Sequence, residues 1–391
     1  MERSYADVVV IGAGPAGLVL TEVLARRGMS VVVVEKQSDP AHGPQGALLQ
    51  PVTLDILRRL VSFTHSAEQD GAITAIEEYG PSGQVFSGAF GELADTPADH
   101  ALNVTQGSLR RTLLDRVATR ESVTLHAGAE VKRVDSASVG DCRCVVAPVD
   151  GGGQELALES RWIVAADGKQ SSTRALSGID THLERADYGL ALVPVPTPRN
   201  YPRTIRAHRR PDGMATTVPG ASPGLTYVFT HMADRTASPE QVVQWATRVV
   251  AAGDEVLGPV LAADARPERT FRIEPQIVNA AAWRNDGVLL LGDSAHGMHN
   301  IGGQGLNTAL QDALSLGDAL LRHAEDGKTE RIDGFIDRRR PFIDRLQDAQ
   351  RTLGEAFWPR AGAESWFRPR FGELSLGQPE MRRDWRDIAA A

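Results

Sequence analysis

The chain has 391 residues, a hydrophobic share of 42% and a formal net charge of -8. Such a length buries a sizeable core and is expected to give two domains, or one domain with a large inserted lobe. The acidic balance argues against a nucleic-acid partner, and no apolar run is long enough for a membrane span, so a soluble, cytoplasmic protein is expected.

In chain order, residues 6–11 (Ala-Asp-Val-Val-Val-Ile) read as a buried strand rich in β-branched side chains. The apolar run 8–11 is too short for a signal peptide. A turn from Gly12 to Gly17 leads into a helix that reaches about Arg27 and ends at Gly28. The next strand, 31–34, finishes at Glu35, which completes a βαβ unit. Residues 52–60 have helical spacing, and 72–91 alternate like strands that turn at Gly80-Pro81-Ser82-Gly83. Residues 109–118 are helical, 123–134 strand-like, and 143–149 with 156–165 resemble a hairpin around Gly151-Gly152-Gly153. The only cysteines, Cys142 and Cys144, give neither a disulfide framework nor a metal pattern, so no metal is expected.

From about Gly178 to Arg272 the texture changes to prolines and short alternating strands, at 190–195, 204–208, 215–218 and 226–231. One helix, 239–252, sits among them, and the whole reads as an antiparallel sheet lobe inserted into the first domain. Residues 288–291 then read as a buried strand, followed by a glycine-rich loop and a helix over 306–321. A last helix, 332–356, is expected to break near Pro341. An irregular tail rich in arginine and proline follows. In it Trp358, Trp366, Phe367 and Phe371 either pack over the lobe or form a dimer contact.

Gly12-Ala-Gly14-Pro15-Ala16-Gly17 has the G-x-G-x-x-G spacing, with a strand before it and a helix after it. The first glycine allows a tight turn, the second lets backbone approach a pyrophosphate, and the third lets the helix pack on the sheet. Free N–H groups and the dipole at that helix start favour an anion. Glu35, followed by Lys36, is placed to accept hydrogen bonds from a ribose and would repel a 2′-phosphate. Far along the chain, strand 288–291 delivers Gly292 and Asp293, and Gly302-Gly-Gln-Gly305-Leu306-Asn307 opens a helix. A carboxylate and a helix N-terminus directed at one point form a second binding arrangement. One long ligand touching both places suggests FAD rather than NAD.

These motifs carry a resemblance. The chain is similar to the flavin-dependent aromatic hydroxylases of the para-hydroxybenzoate hydroxylase type, the group A flavoprotein monooxygenases. Gly12 to Gly17 with Glu35 is the first match. Asp167-Gly168-Lys-Gln-Ser171-Ser-Thr-Arg174 resembles a D-G-x-x-S-x-x-R segment that in the family serves both FAD and the nicotinamide donor. Gly292-Asp293 is the third, and there the carboxylate bonds the ribityl chain. Val104 to Arg110 resembles a segment whose glutamine, here Gln106, or arginine touches the ribityl-phosphate region. The backbone N–H groups of Leu306 and Asn307, after Gly305, would face the flavin's N1–C2=O edge, unless Asn307 only caps its helix.

The resemblance implies an α/β fold: a Rossmann-like FAD-binding domain with an inserted antiparallel β-sheet substrate lobe and a C-terminal helix. The FAD domain is expected at 1–70, 103–178 and 272–325, the lobe at 71–102 and 179–271, and a helical segment with tail at 326–391. It also implies a reaction: NADH or NADPH reduces FAD, O2 forms a flavin C4a-hydroperoxide, and an aromatic or polyketide-like molecule of secondary metabolism, as in antibiotic biosynthesis, is hydroxylated. A monomer or homodimer is expected. The alternative keeps FAD but makes the protein a reductase or saturase that inserts no oxygen.

The chain departs from the family in two loops. Gln45-Gly46-Ala47 has glycine where many relatives have an arginine beside the flavin. Met298-His299-Asn300-Ile301 stands where relatives commonly carry prolines. His299 and Asn300 are candidates to bond the substrate, with His299 assisting phenol deprotonation from a pKa of about 6.5; alternatively both face solvent or cap local backbone. His296 is expected to be structural. Tyr227 and His231, four apart on a strand, share a face and are further candidates for the pocket, or ordinary half-buried sheet residues.

Overall fold

The run of valines after Asp7 forms the middle of a sheet. In the computed structural model, which describes residues 2–39, 46–64, 71–93, 98–222, 224–356 and 365–391, strand Glu2–Ile11 lies between two parallel partners, Val31–Glu35 and Leu156–Ala165. Val8 and Val10 enter one core while Val9 and Ile11 enter another. Burial on both faces explains why the strand is continuously apolar rather than alternating. Each such side chain contributes roughly 1.5–3 kcal/mol.

The parallel sheet extends to Val123–Ala127 on one side and Val288–Leu290 on the other. Leu156–Ala165 shares its outer edge, pairing antiparallel with Asp141–Pro148 along its first half and parallel with Val288–Leu290 near its end. Helix Pro15–Arg26, with proline at its start, crosses helix Gln304–Asp326. A Cβ on Gly317 of the second helix would stand 2.6 Å from Val23 Cγ1 of the first, so glycine sets the close approach.

The 123–134 run is two strands rather than one. Gly128, at φ +70, divides it, so that Val123–Ala127 pairs with Val31–Glu35 and Ala129–Ser138 pairs with Asp141–Pro148. A continuous strand-like pattern does not reveal a change of partner.

The second large sheet runs in the order Phe271–Ile273, Gly189–Pro196, Leu225–Met232, Gly213–Pro219, Thr204–Arg210, Ala75–Gly80, Gly83–Ala89. Its pairings are antiparallel except one: Thr204–Arg210 runs parallel to Ala75–Gly80, which joins two distant stretches of chain. Two helices cover it, not one. Pro239–Ala251 starts at a capping box of Ser238 and Gln241. The unforeseen second, Leu257–Asp264, starts where the Asp254 carboxylate accepts the N–H groups of Val256 and Leu257 at 3.1 and 2.8 Å.

Helix Glu330–Ala356 passes through Pro341 without the expected break. Ile332, Phe335, Phe342, Ile343 and Leu346 are buried along it, and this packing outweighs the hydrogen bond that proline removes. The tail is not irregular either. It forms helices Phe371–Leu376 and Arg382–Ala390 and buries Trp366, Phe367 and Trp385. Trp385 Nε1 donates to Ser315 Oγ at 2.8 Å. Trp358 lies outside the described residues. Among the described residues no helix is long and apolar enough to cross a membrane.

Candidate functional site

Three loops meet at the carboxyl ends of three neighbouring strands, where the sheet order turns about Glu2–Ile11. Gly12, at φ +109, is closed in: a Cβ would stand 2.5 Å from Ala166 O. Gly17 leaves still less room, 2.1 Å from Gly12 O, whereas Gly14 has only Ala166 O at 3.9 Å. The outer glycines therefore serve packing, and the middle one leaves space for a ligand to reach backbone. Pro15 and Ala16 open the helix, and Ala16 Cβ lies 3.7 Å from where a Gly292 Cβ would be. That contact brings the first and third motifs together.

Glu35 is 8% exposed and organises this loop directly. One oxygen accepts Ala13 N and the other Gln37 N, each at 2.8 Å. Arg110 backs it, donating from Nε to Ala13 O at 3.2 Å with its guanidinium 3.6 Å from the carboxylate. Lys36 instead lies at the surface, 3.3 Å from Glu130. Gln106 is the first residue of helix Gln106–Val117, behind the N-cap Thr105.

In the second loop, Asp167 Oδ2 accepts the Thr173 backbone N–H and hydroxyl at 3.1 and 2.8 Å. Its Oδ1 is buried with no protein partner. A buried carboxylate oxygen left open is the mark of an acceptor awaiting a donor. Arg174 is buried and donates to Ser294 O at 2.7 Å and Lys169 O at 3.0 Å, which ties the second loop to the third.

Asp293 begins a short helix, Asp293–His296, and is half-buried. A Cβ on Gly305 would meet Asp293 Oδ1 at 3.7 Å and Met298 Cβ at 4.0 Å, ordinary contact distances that place the carboxylate beside the start of helix Gln304–Asp326. Leu306 is half-buried there. The Asn307 side chain is fully engaged: Nδ2 donates to Leu48 O and Gly303 O at 2.8 and 2.6 Å, and Oδ1 accepts Gln50 N at 2.9 Å. Only its backbone is left for a ligand. His296 is structural in its contacts. Its Nε2 is 2.5 Å from Asp312 Oδ2, and Arg339 Nε donates to the other oxygen at 2.6 Å, all three buried. Burial opposes the charge on Asp312, yet Arg339 and His296 hold that carboxyl below its ordinary value.

On the lobe side, His299 is neither solvent-facing nor a backbone cap. It is buried, with Nδ1 2.5 Å from the Tyr188 hydroxyl. Burial first, then the charges of Lys169 and Arg351, push its pKa down to about 4, away from the near-neutral value expected of it. Burial likewise takes His231 to about 3, with Asn300 opposing the shift. Asn300 Oδ1 is buried without a partner. Tyr227 and His231 share a strand face opposite Val228, which packs under the helices. Tyr227 Cε2 is 3.6 Å from where a Gly46 Cβ would be. Gln45 lies outside the described residues. Tyr188 was missed by the sequence reading, because a tyrosine immediately before a strand carries no pattern.

The cradle at Gly14, the open Asp167 oxygen and the Asp293 carboxylate beside Gly305 fit a dinucleotide whose pyrophosphate meets helix Pro15–Arg26. No group of three or more His, Cys, Asp or Glu side chains among the described residues is placed to hold a metal.

Comparison with known proteins agrees with this geometry. A family model described as FAD binding domain matches residues 5–350. Protoasukamycin 4-monooxygenase of Streptomyces nodosus subsp. asukaensis is 29% identical over 361 residues, 89% of this chain and 87% of that protein. A 6-methylpretetramide 4-monooxygenase of Streptomyces rimosus is 28% identical over 407 residues, 99% of this chain and 93% of that protein. Among solved structures, PqsL of Pseudomonas aeruginosa superposes with a TM-score of 0.79 at 22% identity, covering 94% of this chain and 100% of that one.

Proposed function

Since the chain belongs to the FAD binding domain family, we propose that it is an FAD-dependent monooxygenase that uses NAD(P)H and O2 to hydroxylate an aromatic or polyketide-like small molecule. The observation that carries this reading is the buried, unpartnered Asp167 Oδ1 beside the Gly12–Gly17 turn, in a chain whose relatives are named monooxygenases. FAD supplies the electron transfer and oxygen chemistry when bound. The protein's part is to bind, orient and exclude water.

Gly14 and the helix start at Pro15 and Ala16 hold the pyrophosphate, in a turn that Gly12 and Gly17 keep tight. Glu35 faces the ribose while fixing its own loop through Ala13 and Gln37. Gln106, Asp167 and Asp293 bond the ribityl region. The backbone of Gly305, Leu306 and Asn307 presents the N-terminal dipole of helix Gln304–Asp326, which favours negative charge on the reduced ring. Tyr227, His231, His299 and Asn300 face the substrate as neutral hydrogen-bonding groups. At pKa values of about 3 and 4 both imidazoles are uncharged but weak bases at neutral pH, so His299 positions rather than deprotonates. The enzyme works in the cytoplasm as a monomer or homodimer, with its FAD-binding parts at 1–70, 103–178 and 272–325.

The test is direct. Purified protein, reconstituted with FAD if necessary, is expected to be yellow and to oxidise NADH or NADPH faster when a suitable phenolic substrate is present. One atom of labelled O2 should appear in the product. A colourless protein that cannot take up FAD would sink the reading, and reduction of a C=C bond without label would replace it with the reductase.

A further inference from the structure

The loop 297–303 joins Asp293–His296 to the glycine-rich helix start, and among the described residues backbone N–H groups serve only two of its carbonyls from 297 to 302, those of Gly297 and Asn300. Each carbonyl from 297 to 302 nevertheless has a partner. Lys169 Nζ donates to Met298 O at 2.5 Å, and Gly303 N to Asn300 O at 3.0 Å. Most of the rest is done by glutamines at most 2% exposed: Gln304, Gln347 and Gln350. Gln347 Nε2 donates to Gly297 O at 3.2 Å and to Val278 O at 3.0 Å, bracing the Val278 N–H bond to Gly297 O at 2.8 Å. Gln350 Nε2 donates to His299 O and Ile301 O at 3.1 and 2.8 Å, while its Oε1 accepts His299 N at 3.2 Å. Gln304 Nε2 donates to Gly302 O at 2.8 Å and to Leu374 O of the tail at 3.0 Å. Gln347 and Gln350 are three apart on helix Glu330–Ala356 and so present one face.

A buried amide is costly unless its bonds are made, so an amide that bonds only one backbone arrangement selects that arrangement. Gln350 acts on both polar groups of one residue, as a neighbouring strand would. We infer that Gln350, supported by Gln347 and Gln304, is a positioning residue for the flavin site. It holds the backbone of loop 297–303 and through it the His299 ring and the start of helix Gln304–Asp326. The inference rests on the FAD reading for its consequence at the ring, and not for the clamp itself.

The experiment compares hydrogen exchange and flavin midpoint potential in the full-length holoprotein and in its Gln350→Met, Gln350→Glu and Arg345→Ala variants. Met removes both donors and the acceptor, and Glu keeps the acceptor for His299 N but turns a carboxylate on the carbonyls of His299 and Ile301. Arg345, exposed on the same helix, bonds Pro341 O rather than the loop and serves as the control. Expected for Gln350→Met is exchange about tenfold faster in the 297–304 amides with the core strands unchanged. Its midpoint potential should be more negative, as the helix dipole drifts from the reduced ring; Gln350→Glu should shift both readouts in the same directions, and Arg345→Ala should match wild type. Loop exchange like wild type, or a rise spread evenly over strand Glu2–Ile11, would overturn the clamp. Should Gln350→Met fail to fold, Gln350→Glu is judged by the same criteria. If wild type takes up no FAD, the functional reading fails, and exchange in the unliganded protein still decides the clamp.

Discussion

The Tyr188 hydroxyl and His299 Nδ1 meet at 2.5 Å in a buried contact between residues 111 apart in the chain. Burial raises the Tyr188 pKa and lowers that of His299, so a neutral phenol meets a neutral imidazole.

Tyr188→Phe removes the hydroxyl and leaves Nδ1 without this partner. Stability should fall by about 1–3 kcal/mol in a urea titration. With the ring released, substrate-stimulated NAD(P)H oxidation should also become less coupled to product. A variant as stable and as coupled as wild type would show that the pair neither holds nor orients the ring.

Acid should destabilise the protein through its buried histidines. His208, His231 and His299 have folded pKa values of about 4, 3 and 4, each lowered mainly by burial. Below about 6.5 the unfolded chain binds protons that the native state refuses, so stability is complete above that pH and declines as pH falls toward 4. Each histidine contributes a slope of up to about 1.4 kcal/mol per pH unit. His299→Gln, which does not titrate, should flatten the decline measured by denaturant midpoints between pH 6.5 and 4.5.

Asp167→Asn keeps an acceptor for Thr173 but loses the charge at the open oxygen. FAD binding to the apoprotein, followed by flavin fluorescence, should weaken about tenfold or more. Unchanged affinity would reduce Asp167 to a support for helix Ser172–Leu176.

Glu78, fully buried in the second sheet, pairs with Arg209 at 2.7 Å and receives Ser365 Oγ with the backbone N–H groups of Trp366 and Phe367. Glu78→Ala should cost about 3–5 kcal/mol by stranding Arg209. It should also release the tail to limited proteolysis near Arg368. A tail that stays protected would show that Trp366 and Phe367 dock without the carboxylate.

Much of the parallel sheet was legible because its strands are buried on both faces and announce themselves as apolar runs. The turn at Gly12 to Gly17 was legible for a different reason, since only glycine fits where Ala166 O closes in. The break at Gly128, the second lobe helix and the unbroken passage through Pro341 were not. Each depends on which distant surface a segment meets: Val123–Ala127 finds Val31–Glu35, and Phe342 finds the core.

The βαβ start, the placement of Glu35, Asp167 and Asp293 at strand ends, and the glycine-rich helix start can be read from the residues alone. These follow from local rules of spacing, conformation and burial, which act within a few residues. That Asp167 keeps one oxygen open, that Tyr188 meets His299, and that Gln350 bonds the loop beside it emerge only in the folded chain. Those are hydrogen bonds between side chains and groups far apart in the chain, and periodicity carries no information about such partners.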